Sequence, residues 1–198
     1  MTFLVQIVLF ASIVFCALYL VVIALYCYGW IKTIEPDDLN FQNLHTKVSV
    51  IVPARNEENN IGFCIDSILK QTYPSEYFEL IVVDDDSEDT TKSIIQGYCN
   101  TNKNIKLISL NSNTGLVGKK NAIAVGIQQS SSELIVTTDA DCVMDKNWLT
   151  TIVAYYGKTG AKMIVSPVVL YKEKNSFEKM QSMEQLALLT SGAGALYF

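Results

Sequence analysis

Two aspartates, Asp139 and Asp141, stand one residue apart behind the apolar run 134–138. If that run is a β-strand, its period of two turns both carboxylates the same way. Two hard oxygen donors with room for water and phosphate oxygens suit Mg2+ or Mn2+ shared with a substrate diphosphate, not an all-protein cage. A solvated turn that caps the next helix is the competing reading. A second acidic cluster, Asp84-Asp85-Asp86, follows the run 80–83. Three carboxylates on one turn repel each other. One of them could cap the following helix, as Ser87 or Asp89 could, and donors from a base and a ribose would account for at least one other. Lys119 and Lys120 open a helical pattern behind Gly115 and Gly118, where a cation is unfavourable unless an anion is close. A diphosphate would supply that anion. Two exposed surface lysines are the alternative, with more weight for Lys120 than for Lys119.

Such residues work together only if a scaffold brings their loops to one edge. The runs 48–52, 80–83, 105–110 and 134–138 are short and rich in Val, Ile and Leu, and 162–170 continues the series. Between and after them, 59–71, 89–98, 119–129, 147–156 and 176–189 carry helical spacing, with Ile61, Ile65, Ile68 and Leu69 on one face. Strands alternating with single helices are βαβ units, and right-handed crossovers make the strands parallel with helices on both faces. The expected fold is α/β, a doubly wound, mostly parallel, Rossmann-like sheet. Ligands of open sheets bind beyond the carboxyl ends of the strands, where strand order reverses. The segments that follow the first four strands are Pro53-Ala54-Arg55-Asn56-Glu57, Asp84-Asp85-Asp86-Ser87, 111–120 and Asp139-Ala140-Asp141. The polar chemistry collects on that edge.

The chain has 198 residues, 49% of them hydrophobic, and residues 1–31 hold no charge. Only Gln6 and Ser12 interrupt the apolar character after Phe3, and about 20 apolar residues suffice to span a bilayer. A cleaved signal would need a basic start, a shorter apolar run and a small-residue cleavage site. Residues 1–31 therefore predict a retained transmembrane anchor, with Tyr26, Tyr28 and Trp30 at an interface. Lys32, the first charge, favours a cytoplasmic main domain, although Glu35, Asp37 and Asp38 weaken that bias. Residues 32–46 read as a linker and 47–198 as the folded domain. Fifteen basic against 20 acidic residues, net −5, argue against nucleic acid as a partner. The five cysteines form no C-x-x-C pair, and His45 is the only histidine, so His-rich zinc sites and Ser-His-Asp triads lack material. The stretch Gly115 to Lys120 lacks the first glycine and the Ser/Thr of a P-loop, and no G-x-G-x-x-G follows the first strand.

Four segments together, 48–58, 81–90, Gly118-Lys119-Lys120 through Gly126, and Thr137-Thr138-Asp139-Ala140-Asp141, resemble family 2 glycosyltransferases of the GT-A fold. The resemblance covers residues 47–149, with the motifs in family order. It implies that Pro53, Arg55 and Glu57 border the nucleotide base and that Asp84 or Asp85 contacts base or ribose. It also implies that Lys119 lies near the nucleotide, and that Asp139 and Asp141 hold the metal, Asp139 also touching the nucleotide sugar. Asp86 stands where the family often has glycine. The implied reaction is an inverting, metal-dependent transfer from a nucleotide-diphosphate sugar, UDP-sugar before GDP-sugar, to a carbohydrate or lipid-linked acceptor at a membrane. The family's acidic base belongs downstream of the metal motif, and Glu173, Glu178 and Glu184 lack its context. The base is expected beyond Phe198, and 47–198 reads as an incomplete domain, its donor-binding half. A sugar nucleotidyltransferase would want a glycine-rich first loop with a basic pair. A response-regulator receiver would want its acidic pair where Pro53 stands. A non-catalytic nucleotide-binding membrane module is the third competitor.

Overall fold

The structure, a computed structural model, describes residues 2–32, 39–42, 44–111, 118–170 and 173–196. They form two compact units, Leu39–Lys162 and the pair Met1–Asp38 with Met163–Phe198.

The first unit holds β1 (Val48–Ala54), α2 (Ile61–Leu69), a single 3-10 turn at Ser75–Tyr77, β2 (Phe78–Asp84), α3 (Thr91–Thr101), β3 (Ile105–Ser109), α4 (Lys119–Gln129), β4 (Leu134–Thr137) and α5 (Trp148–Thr159). Its sheet has the order β3-β2-β1-β4, and every neighbouring pair is parallel. All seven residues of β1 are buried, as expected of a central parallel strand covered on both faces. One cover is α2, which buries Ile61, Cys64, Ile65 and Ile68. Another is α4, whose Ala122 and Gly126 are buried. A Cβ on Gly126 would sit 2.5 Å from Ile51 Cγ2 and 3.3 Å from Val83 Cγ2, so a residue without a side chain sets how closely α4 approaches the sheet.

The chain steps outward from β1 to β2 to β3, and α4 then carries it back so that β4 lies on the far side of β1. The reversal falls between β1 and β4. There β4 ends at Thr137, opposite Ile51, whereas β1 and β2 stay paired to Ala54 and Asp84. The last tie is Thr138 N–H to Ile51 O, 3.2 Å. Beyond it the loops of the carboxyl edge meet at the switch point where ligands of such sheets bind. At the amino edge, polar groups among the described residues satisfy each other. Ser49 Oγ donates to Glu79 Oε1 at 2.6 Å and Lys106 Nζ to Glu79 Oε2 at 2.7 Å. Burial raises the Glu79 pKa, but these donors and the lysine charge outweigh it and hold the carboxyl below its ordinary value.

The ends of the sheet unit differ from the sequence reading. The run 162–170 forms no strand, and Met163, Val165 and Val169 are exposed. β-branched residues favour extended backbone, yet a strand exists only where a neighbour takes its hydrogen bonds, and none of the described strands does. The sheet unit also begins at Leu39, earlier than Lys47: Leu39 is buried and Tyr73 Oη donates to Thr46 O at 2.6 Å. Residues 33–38 of the expected linker lie outside the described residues.

The second unit contains α1 (Thr2–Lys32) and α6 (Ser176–Leu196), which pack against each other. Within α1, Phe3–Gly29 is a 27-residue apolar helix, about 40 Å long at 1.5 Å per residue, enough to cross a bilayer core. Helix α6 runs to Leu196, beyond the 176–189 expected, and is capped reciprocally. Asn175 Oδ1 accepts from Glu178 N at 2.9 Å and Glu178 Oε2 from Lys174 N at 2.6 Å. Glu173 accepts from Ser182 Oγ at 2.5 Å. Both of these glutamates thus have local work at the start of α6.

Candidate active site

The loops after β1 and β2 are laced together by side chains. Asn56 and Asp86 both have left-handed backbone, φ 55° and φ 60°, a conformation that Asn and Asp tolerate better than other residues with a Cβ. Asp86, where family members often carry glycine, fits its turn for that reason. Asn56 N donates to Ser87 Oγ at 3.1 Å, and Asn56 Oδ1 accepts from Glu88 N at 2.8 Å. Glu57 N donates to Thr91 Oγ1 at 2.7 Å, and Glu58 N to Asp89 Oδ2 at 3.2 Å. The other Asp89 oxygen accepts from Thr91 N at 2.9 Å at the start of α3. Ser87, Asp89 and Thr91 therefore fix the shape of the site rather than face a ligand. Sequence reasoning assigns Ser87 and Asp89 only a helix-capping role. The signal that could have found the lacing is the pairing of two left-handed-tolerant residues, Asn56 and Asp86, at matching strand ends.

The remaining sequence-derived candidates separate into different roles. Pro53 is buried inside β1, two residues past the last β1–β4 pair, where no ladder bond to β4 is lost by its missing N–H. Arg55 is exposed at the edge. Glu57 opens the turn that leads into α2: its carbonyl accepts from Ile61 N at 2.8 Å and its Oε2 from Asn60 Nδ2 at 2.8 Å. Asp85, 4% exposed, uses both oxygens on Gly118 N, at 2.8 and 2.9 Å. A buried carboxylate thus sits at the N-terminus of α4, where the helix dipole favours it. Gly118 takes φ 104° there, a conformation only glycine adopts without strain. Asp84 is its opposite. It is 2% exposed, and its Oδ1 is buried without a hydrogen-bond partner among the described residues.

Asp139 and Asp141 lie in a turn after β4, not on the strand, so the period-two argument does not set their directions. The turn does. Cys142 N donates to Asp139 O at 3.2 Å, Cys64 Sγ to the same carbonyl at 3.6 Å, and Ala140 is buried between two exposed aspartates. Burial pushes the Cys64 thiol up to about 12, and nearby Cys142, Asp141, Asp139 and Glu57 add to the rise. Cys64 is therefore a packed thiol under the acidic turn and not a thiolate ligand or nucleophile. Lys119 reaches the turn from α4, its Nζ 2.7 Å from Asp139 Oδ1. The anion that offsets a lysine at that helix start is, in this structure, the chain's own Asp139.

No three His, Cys, Asp or Glu among the described residues are grouped to enclose a metal. Two exposed carboxylates on one turn still fit a divalent ion that completes its shell with water and phosphate oxygens, as Mg2+ and Mn2+ sites often do.

A parallel α/β sheet whose acidic loops converge at the β1–β4 reversal belongs to the Rossmann-like class with the site at its carboxyl edge. Residues 49–194 match the family model described as Glycosyl transferase family 2, and the chain belongs to that family. It is 30% identical over 148 residues to Glycosyltransferase AglE of Haloferax volcanii, covering 71% of this chain and 48% of the relative. It is 37% identical over 109 residues to the poly(ribitol-phosphate) beta-N-acetylglucosaminyltransferase TarS of Staphylococcus aureus, covering 55% of this chain and 18% of TarS. Among solved structures, the mannosyltransferase PcManGT of Pyrobaculum calidifontis in complex with GDP-Man and Mn2+ matches with a TM-score of 0.60 and 27% identity, over 71% of this chain and 41% of that one. TarS 1-349 in complex with UDP-GlcNAc matches with a TM-score of 0.52 and 31% identity, over 64% of this chain and 38% of that one. The fold is the GT-A type that the sequence resemblance implied. The chain spans about half the length of these relatives or less.

Proposed function

We propose that the Leu39–Lys162 unit is the donor-binding part of a membrane-anchored glycosyltransferase that takes a sugar from a nucleotide-diphosphate sugar, a UDP-sugar first, with Mg2+ or Mn2+ at Asp139 and Asp141. The observation that carries this reading is Asp84 Oδ1, a buried acceptor at the carboxyl end of β2 with no partner among the described residues. Buried polar atoms are nearly always paired, and leaving one unpaired costs about 1–3 kcal/mol, more for a charge. A donor from a ligand, such as the imide N–H of uracil or a ribose hydroxyl, would satisfy it.

In this reading Asp84 accepts from base or ribose, and the laced loops carrying Arg55 and Glu57 border the base. Asp85 has a different part: it holds Gly118 and so fixes the start of α4, which presents Lys119 toward the diphosphate. The bound metal would neutralise charge on the departing nucleoside diphosphate. The family resemblance supports a single displacement with inversion, in which an acidic base takes the proton of an attacking carbohydrate or lipid-linked hydroxyl. The test is calorimetry of the full chain in detergent with UDP and GDP, each with Mn2+ or with EDTA. UDP should bind in the presence of Mn2+ and at least tenfold more weakly in EDTA. Asp84→Ala should weaken UDP by roughly tenfold or more, the loss of one charged hydrogen bond. Binding that ignores both changes would reject the proposed site.

We further propose that α1 is the membrane span and that the sheet unit faces the cytoplasm, on the strength of the 27-residue apolar helix and the lysine that ends it. Partly accessible Cys99 and Cys142 should react with a membrane-impermeant maleimide only after permeabilisation. Their modification in intact cells would reverse the orientation.

A further inference from the structure

Lys119 is the first residue of α4. The field of the helix disfavours a cation at this position, yet its ammonium donates to Asp139 Oδ1 at 2.7 Å, with the two side chains 62% and 52% exposed. Its backbone cannot drift away from the acidic turn, because both oxygens of buried Asp85 clamp the adjacent Gly118 N–H. The four-carbon stem of Lys119 is the mobile part. The same Asp139 carboxylate is one of two that the acidic turn, among the described residues, offers a divalent ion. An ammonium and a divalent cation sharing one carboxylate would repel each other within a few ångströms. They cannot both keep it at low cost.

We propose that Lys119 is a resident counter-ion on Asp139, displaced when the metal arrives, and that the released ammonium then becomes a ligand of the diphosphate accompanying that metal. The inference rests on the reading of this site as a metal and nucleotide site. Metal alone must break the Lys119–Asp139 pair and leave the ammonium next to a like charge. Metal together with a diphosphate would give the ammonium a new anion at the same helix end, a favoured anion position. Metal and nucleotide therefore bind with positive coupling, and by linkage each raises the affinity of the other by the same factor. Lys119 is the physical origin of much of that factor.

The experiment compares the full chain with Lys119→Met, which keeps the apolar stem, and Lys119→Arg, which keeps the charge. Free Mn2+ is followed by electron paramagnetic resonance during titration with Mn2+ alone, and UDP is then titrated at saturating Mn2+. Because an exposed pair is worth little, Lys119→Met should bind Mn2+ alone about two- to fivefold more tightly while binding UDP with Mn2+ about tenfold more weakly. Lys119→Arg should remain near wild type in the first measurement. If Lys119→Met binds Mn2+ alone no more tightly than wild type, the exchange is wrong while the metal–nucleotide site stands. If UDP affinity at saturating Mn2+ is unchanged in Lys119→Met, the diphosphate role is wrong. Failure of the wild-type chain, with its secondary structure verified by circular dichroism, to bind Mn2+ and UDP together overturns the site and the exchange alike.

Discussion

Asp141→Asn is expected to lower the affinity of the full chain for UDP in the presence of Mn2+ by roughly a hundredfold, since even a partner one shell removed from a metal costs 10- to 100-fold. With only two carboxylates on the turn and no third His, Cys, Asp or Glu grouped with them among the described residues, the site has no spare protein charge to compensate. The control is Asp145→Asn, four residues on. Asp145 Oδ1 accepts from Asn147 N at 2.9 Å just before α5, a role an amide oxygen retains, so its substitution should change UDP affinity less than twofold. In EDTA the two variants and wild type should bind UDP alike and weakly. Equal losses from both substitutions, read by calorimetry, would mean that the turn serves the fold and not a metal.

Why the sequence shows the strands and yet does not separate the roles of neighbouring polar residues follows from what each depends on. β1 and β2 are legible because a central parallel strand is buried on both faces and must be apolar in its middle, as Val50–Val52 and Leu80–Val83 are. The helix at 119–129 is found at its observed ends because Gly118 and Ser130 interrupt the pattern there. The run 162–170 has the same composition but not the same fate, because strand formation is decided by a partner's hydrogen bonds rather than by the segment itself. Membership of an edge is likewise local, whereas division of labour within it is not. Three consecutive aspartates look alike in a sequence. Only the fold gives Asp84 a buried oxygen unpaired among the described residues, turns Asp85 onto Gly118 and puts Asp86 at φ 60°. The sequence also suggests that Lys119 needs an anion, and the structure supplies one that no strand-by-strand reading could pair with it, twenty residues along the chain at Asp139.

The other large effect lies away from the ligand, at the contact that holds α4 over the sheet. Gly126→Ala would put its methyl carbon 2.5 Å from Cγ2 of fully buried Ile51 and 3.3 Å from Cγ2 of Val83. Both neighbours are β-branched residues on central strands, so neither can swing aside freely. Overpacking of this kind costs about 1–3 kcal/mol, and the gain of roughly 1 kcal/mol from alanine's better helix propensity offsets part of it. The expected net loss is about 1–2 kcal/mol for Gly126→Ala and roughly 3 kcal/mol or more for Gly126→Val, read from urea unfolding of the sheet unit within the full chain. Gly97→Ala, in α3 with nothing within 4 Å of the place its methyl would take, should instead gain up to about 1 kcal/mol. Ile51→Ala removes the obstructing Cγ2, so combining it with Gly126→Ala should cost at least about 1 kcal/mol less than the sum of the two single changes, as expected for residues in contact. The folded fraction of Gly126→Ala should also bind UDP with Mn2+ more weakly, because a displaced α4 moves Gly118 off Asp85 and Lys119 off the acidic turn. Stability equal to wild type for Gly126→Ala, or strict additivity with Ile51→Ala, would show that α4 is not seated on Ile51 as described and that its hold on the site is looser than the geometry requires.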